Sequence, residues 1–256
     1  MCSIASRSTS RFRFSFRTAV LTVLGAAVFF AGSAIAQTES RHQLEIESFE
    51  RVYLSGPIRV HLQQQNQTAN PGEGDEPFGA FIKGPSASVA QLKIEQSDAA
   101  LFIDLPVADL HNGESGLTIY LPFKKLKEVV SQGGAQVFAD QIESANLALE
   151  GRGEGQFVLQ RILVDDLVIV GQGNTMFVLS GTVQHQLIEI AGLGRFHGAA
   201  LQSDTSHISV HGAGEVDVWA RELLQVDVSG TAKVRYDGAP WIHQQIQGSG
   251  AVTRLF

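Results

Sequence analysis

The sequence predicts an all-β chain wound as a right-handed parallel β-helix, a β-solenoid of about 18–20-residue coils, and three observations carry this. Gly133, Gly153, Gly173, Gly192, Gly212, Gly230 and Gly248 recur at intervals of 20, 20, 19, 20, 18 and 18 residues. The fourth residue after each glycine is apolar: Val137, Phe157, Phe177, Phe196, Val216, Val234 and Val252. The second is small: Ala135, Gly155, Thr175, Gly194, Gly214, Ala232 and Gly250. No segment shows a sustained helical period. A period near 20 with several short strands per unit means stacked coils, and parallel crossovers are right-handed.

The first 36 residues read as an export signal. Arg7, Arg11, Arg13 and Arg17 give a positive start, Ala19 to Ala31 an apolar run, and Ala34-Ile35-Ala36 a small-x-small cleavage site. The run is too short for a permanent membrane span. Cleavage leaves residues 37–256 as one β-helix domain, periplasmic or extracellular, with no membrane span. The signal holds 4 of the 19 Lys and Arg and none of the 26 Asp and Glu, so the remainder carries 15 − 26 = −11. Such a charge repels nucleic acid. The only cysteine, Cys2, lies in the signal, which excludes disulfides, thiolate nucleophiles and cysteine metal sites from the exported chain.

Residues 44–128 are expected to form amino-terminal strands. From Leu44 to Gln63 the pattern alternates, with Val52, Leu54, Ile58, Val60 and Leu62 on one face. Gly56 lies four residues after Val52 and four before Val60, so this stretch counts as a degenerate coil. Residues 64–79 read as a surface loop rich in Gly and Pro. Its acidic tip, Glu73, Asp75 and Glu76, lacks the spacing of a calcium loop. Further strands are expected at Ala80 to Lys83, Gln91 to Glu95, Ala100 to Leu105 and Gly116 to Leu121, with turns such as His111-Asn112-Gly113 between them. Lys124, Lys125 and Lys127 read as a solvated turn at the junction with the repeat.

Residues 129–256 form the regular glycine-marked coils. Offsets two, four and six after each glycine share the inner face, and offsets one, three and five the outer. Four residues before the glycine the chain is apolar except at Gln244. Identical offsets on successive coils stack about 4.8 Å apart, so they form ladders. The outward ladders then read Arg195, Glu215, Lys233 at offset three and His197, Asp217, Arg235 at offset five. In each a carboxylate stands between basic groups, as cross-strand pairing favours.

Phe49 to Val60 followed by Gly-x-Gly units, such as Gly192-Leu193-Gly194, Gly212-Ala213-Gly214 and Gly248-Ser249-Gly250, resembles the auto-transporter adhesin head GIN domain family of bacteria. The resemblance covers nearly all of the exported chain and its motif is structural. It implies an export signal, a right-handed β-helix-like fold and no identified active site. No translocator barrel is expected after the repeat.

Glycoside hydrolysis needs two convergent carboxyls, and the candidates are Asp165, Asp166, Asp204, Asp217 and Asp227. Adjacent or ladder-paired acids of this kind point to structural roles. His207 and His243 share an offset, but Gln225 lies on the coil between them, and two coil spacings, about 10 Å, are too far for one metal ion. His197, His207 and His211 are close in sequence, but with no cysteine and no clear carboxylate to complete a metal site they read as surface residues. No helix follows any Gly-x-Gly pair, which excludes a phosphate loop. No catalytic residue, metal site or cofactor is therefore expected. Arg254 to Phe256 are expected to cap the last coil.

The reading is an exported, non-catalytic, adhesin-like binding module whose partner is a glycan or a protein of the cell envelope. The alternatives are a polysaccharide-active enzyme on a β-helix scaffold and a structural envelope protein that assembles end to end.

Overall fold

Strict alternation of inward and outward side chains over long stretches of the chain produces one continuous solenoid of parallel strands. The computed structural model describes residues 40–65, 79–106 and 116–255. The expected export signal, the expected loop tip at Glu73 to Glu76, the expected His111-Asn112-Gly113 turn and Phe256 lie outside the described residues.

The regular coils are β10 (Ile142–Gly153), β11 (Gln156–Gly173), β12 (Met176–Gly192), β13 (Arg195–Gly212) and β14 (Glu215–Gly230). Each pairs in parallel with the next along almost its full length. In β11, a first face buries Phe157 and Leu159, a second buries Ile162 and Val164, and a third buries Leu167 and Ile169 before the corner glycine. The corner glycines stack directly: Gly153 is level with Gly173, then Gly192, Gly212, Gly230 and Gly248. Gly212 shows why no other residue serves there. Its φ is +125°, and an added Cβ would lie 2.6 Å from the Gly192 carbonyl oxygen on the coil below.

Unequal coil lengths are absorbed at the bends, so the corners stay level. Between β11 and β12 the register slips after Leu159, where Arg161 takes a positive φ of 46°. Between β13 and β14 it slips after Gly198 and again after Ser203. The inner ladder of Val137, Phe157, Phe177, Phe196, Val216 and Val234 has no solvent exposure. Phe157 and Phe177 stack with ring centroids 4.9 Å apart. Burial of each large apolar side chain contributes about 1.5–3 kcal/mol, which gives a disulfide-free core its main support.

The amino-terminal part departs from chain order. β2 (Arg51–Ser55) and β3 (Arg59–Gln64) form a coil about Gly56, and β6 (Ala100–Asp104) and β7 (Thr118–Phe123) form another. The Gly56 coil lies in the middle, because β2 and β3 pair with β6 and β7 on one side and with β8 (Glu128–Gln132) and β9 (Gln136–Ala139) on the other. The chain therefore crosses over the Gly56 coil between Phe123 and Glu128. At this crossing Lys127 pairs with Glu50 at 2.6 Å, which holds the Glu50 carboxyl below its ordinary value.

An antiparallel layer flanks the β6–β7 coil. β4 (Ala80–Gly84) runs antiparallel to both β1 (Ser40–Leu44) and β7, and β5 (Lys93–Ser97) runs antiparallel to β6. Here the expected strand at Gln91 to Glu95 is corrected. Residues Ser86–Gln91 form a short helix, α1, and the strand begins at Lys93. Pro85 fixes the extended entry, and six residues are too few to display a helical period. Beside this layer Phe81, itself buried, stacks with Tyr120, His61 and Phe138 in a row at 4.4, 4.9 and 5.1 Å. Burial, and then the charge of Arg59, push the His61 imidazole below its ordinary pKa.

At the other end, β15 (Lys233–Gly238), β16 (Trp241–Gly248) and β17 (Ala251–Arg254) complete the stack. Of the expected cap at Arg254 to Phe256, Phe256 lies outside the described residues and Arg254 does not close the stack. Arg254 continues the ladder opposite Tyr236, and its guanidinium donates to the Gly238 carbonyl rather than folding over the core. The inward-facing Ile242 and Ile246 are consequently 40% and 38% exposed. Gln244, the one polar residue at its offset, stands between them and puts an amide on this open rung.

Candidate functional site

The third face carries two outward ladders with a groove between them. Seven residues before each corner glycine stand Asp166, His185, Thr205, Leu223 and Trp241, one per coil and in register. Five residues before it stand Val168, Leu187, His207, Gln225 and His243, again in register. Asp166 to Leu223 and Val168 to Gln225 line a cavity of about 250 Å³ where the chain turns from the second face into the third. His185 Nδ1 and Thr205 Oγ1 lie 2.8 Å apart across adjacent coils. Gln225 donates to Asp227 at 3.3 Å, and His207 is 3.7 Å from the same carboxylate.

Beneath these ladders the core becomes polar. The inward position six residues before the glycine is Leu147, Leu167, Leu224 and Ile242 in four coils, but Gln186 and Ser206 in the two between. Gln186 Nε2 donates to Ser206 Oγ at 2.5 Å and to Ser203 Oγ at 3.0 Å, and the Ser203 hydroxyl donates to the Trp219 carbonyl at 2.7 Å. All three side chains are buried. Gln186 Oε1 finds no partner among the described residues, which leaves a desolvated acceptor next to the groove. Sequence reasoning missed this cluster although its signal was present, as two polar residues at an otherwise apolar offset.

The groups available to a ligand are two imidazoles, a hydroxyl, an amide and one carboxylate, interleaved with leucine and valine. Neither Lys nor Arg lines the cavity. Asp166 is its only lining carboxylate, so the paired acids of glycoside hydrolysis are not assembled there.

The other candidate acids are dispersed. Asp165 accepts from Gln184 at 2.6 Å, and Asp204 pairs with Arg221 at 2.8 Å. Asp217 lies on the first face, where Arg235 donates to both its oxygens at 2.6 and 2.9 Å and His197 approaches to 3.0 Å. That contact raises the Arg235 pKa above its ordinary value. The outward ladder His197, Asp217, Arg235 is thus a contiguous ion-paired row. Arg195, Glu215 and Lys233 stand in register beside it. The three histidines considered for a metal are separated: His197 is on the first face with Asp217, His207 is in the groove, and His211 contacts Ser209 at 3.3 Å. Among the described residues no group of three or more His, Cys, Asp or Glu is placed to hold a metal ion.

These features define an all-β solenoid with a side-chain-lined groove on one flank. Residues 48–240 match the family described as "Putative auto-transporter adhesin, head GIN domain", and the chain belongs to that family. Solved structures of similar fold include a "putative adhesin" from Bacteroides fragilis NCTC 9343, with a TM-score of 0.77 at 19% identity over 86% of this chain and 98% of that one. A "putative adhesin" from Parabacteroides merdae ATCC 43184 gives 0.60 at 16% identity, over 85% of this chain and 96% of that one. A "putative lipid binding protein" from Parabacteroides distasonis ATCC 8503 gives 0.59 at 17% identity, over 85% and 97%. No curated protein sequence matches the chain. Among the described residues no helix is long and apolar enough to cross a membrane.

Proposed function

We propose that this protein is an exported, non-catalytic, adhesin-like binding module that holds an extended ligand along the third-face groove. The observation that carries the reading is the polar cluster of Gln186, Ser203 and Ser206 under that groove. A repeat selected for packing alone places Leu at the inward offset, as it does at Leu167 and Leu224. Polar groups there cost stability, and such costs concentrate where a surface has work to do. The family and its solved relatives bear adhesin and binding-protein names, which supports a binding role and export, and the amino-terminal sequence pattern supports export too.

The test is retention of the exported chain, residues 37–256, on bacterial envelope fragments, compared with His207→Ala and Leu223→Arg. Both side chains are substantially exposed, so the fold tolerates the changes. Loss of retention in the variants supports the groove, and unchanged retention in both refutes it. Sugar released from the same fragments by the wild-type chain would replace binding with catalysis.

A further inference from the structure

We propose that the ligand of this groove is a neutral glycan and that Trp241 is the platform on which one of its sugar rings stacks. The inference rests on the groove reading and adds a ligand class and a contact residue. Trp241 is 85% exposed, the most exposed of the large hydrophobic side chains among the described residues. It is paired in register with Leu223, so it stands one rung beyond the groove on the same outward ladder. The rungs from Asp166 to Trp241 span four coil spacings, about 19 Å. No ring or cation stacks on the indole among the described residues, in contrast to Tyr53, which stacks on Phe102 at 4.8 Å. A free indole face carries negative charge density and attracts the slightly positive C–H face of a pyranose.

The chemistry of the remaining rungs agrees. Imidazole, hydroxyl, amide and carboxylate groups at His185, Thr205, His207, Gln225 and Asp166 exchange hydrogen bonds with sugar hydroxyls, and they recur at the spacing of β-strands. A β-linked hexose chain advances by a similar step per residue. Without Lys or Arg in the lining, and with Asp166 present, the groove disfavours acidic sugars. A peptide adding as a strand is also disfavoured. The groove lies on the flank of the solenoid, where the backbone groups of β11 to β14 are already paired between coils, so only side chains are offered.

The experiment titrates residues 37–256 carrying Trp219→Phe, so that emission reports Trp241 alone, with cellohexaose, chitohexaose, laminarihexaose, mannohexaose and hexagalacturonate. Envelope retention is measured in parallel with and without each hexasaccharide as free competitor, and before and after protease digestion of the envelope fragments. The expected result is saturable change in Trp241 emission with at least one neutral hexasaccharide, none with hexagalacturonate, and envelope retention that survives protease and is displaced by that same neutral hexasaccharide. Trp241→Ala should weaken retention about tenfold or more without altering the melting temperature. Retention that is abolished by protease and displaced by no neutral hexasaccharide, but is lost in His207→Ala and Leu223→Arg, overturns the glycan and leaves the groove standing. Retention unaffected by those two variants overturns the groove itself. Wild-type retention by Trp241→Ala overturns the platform, and tight binding of hexagalacturonate overturns the neutral class.

Discussion

Replacing Gln186 by Leu should make the protein more stable, an uncommon sign for a change at a fully buried position. In the present core, Gln186 Nε2 makes two hydrogen bonds to Ser203 and Ser206, while Oε1 is buried without a partner among the described residues. Each bond contributes about 0.5–1.5 kcal/mol net, and the orphan acceptor costs about 1–3 kcal/mol. Leucine restores the residue type found at Leu167 on the adjacent coil and at Leu224 two coils away, and adds apolar burial. Ser203 and Ser206 keep each other, and Ser203 keeps the Trp219 carbonyl. The balance favours the variant by about 1 kcal/mol, or about 2–4 °C in melting temperature for a chain of this size. Denaturant titration with an unchanged slope would measure it. A fall of 2 °C or more would refute the reasoning, because it would show the amide to be fully satisfied and the cluster to be a net stabiliser.

Gly212→Ala should cost about 2–4 kcal/mol, from a positive φ and a Cβ forced towards the Gly192 carbonyl. Gly134→Ala, where the nearest atom to an added Cβ is 3.6 Å away, should stay within about 0.5 kcal/mol; thermal melts of the pair check the contrast. Phe177→Ala removes an unexposed ring stacked on Phe157 and should cost about 3–5 kcal/mol by the same assay. His61 has a folded pKa below its ordinary value of 6.5, so the unfolded chain takes up the proton first as pH falls. Its stabilising contribution is complete above pH 6.5 and is lost as pH drops through the lower folded value. His61→Phe, which keeps a ring between Tyr120 and Phe138, should reduce the loss of stability between pH 7.5 and pH 5 measured by denaturant titration.

The repeat was legible because a solenoid writes its architecture locally. Each corner needs a glycine and each inward rung an apolar group, so Gly173 and Phe177 announce the same geometry as Gly192 and Phe196. The position of the Gly56 coil was not legible, since nothing near Val52 or Val60 records that β6 and β7 will be laid on its far side. Helix α1 was too short to show a period. The groove could have been found from Gln186 and Ser206, but only by aligning the inward offset six residues before each glycine. The exposure of Trp241 follows from its place on the terminal rung, a property of the stack rather than of its neighbours in sequence.

The middle position of the Gly56 coil sets an order of events for the emerging chain. Whether it leaves a ribosome or a translocation pore, β2 and β3 appear first, and their parallel partners become available only with residues 100–123 and 128–139. Nothing can close around Val52 and Val60 until roughly half of the chain is out, so the early segment must wait with its apolar face unpaired. Once β9 arrives the situation reverses. Every later coil, from β10 onward, lands on an edge already formed and needs only its own 18–20 residues to do so. Folding is thus expected to show one slow, non-local nucleation followed by rapid unidirectional growth, with the vulnerable interval confined to the first half of synthesis or transit.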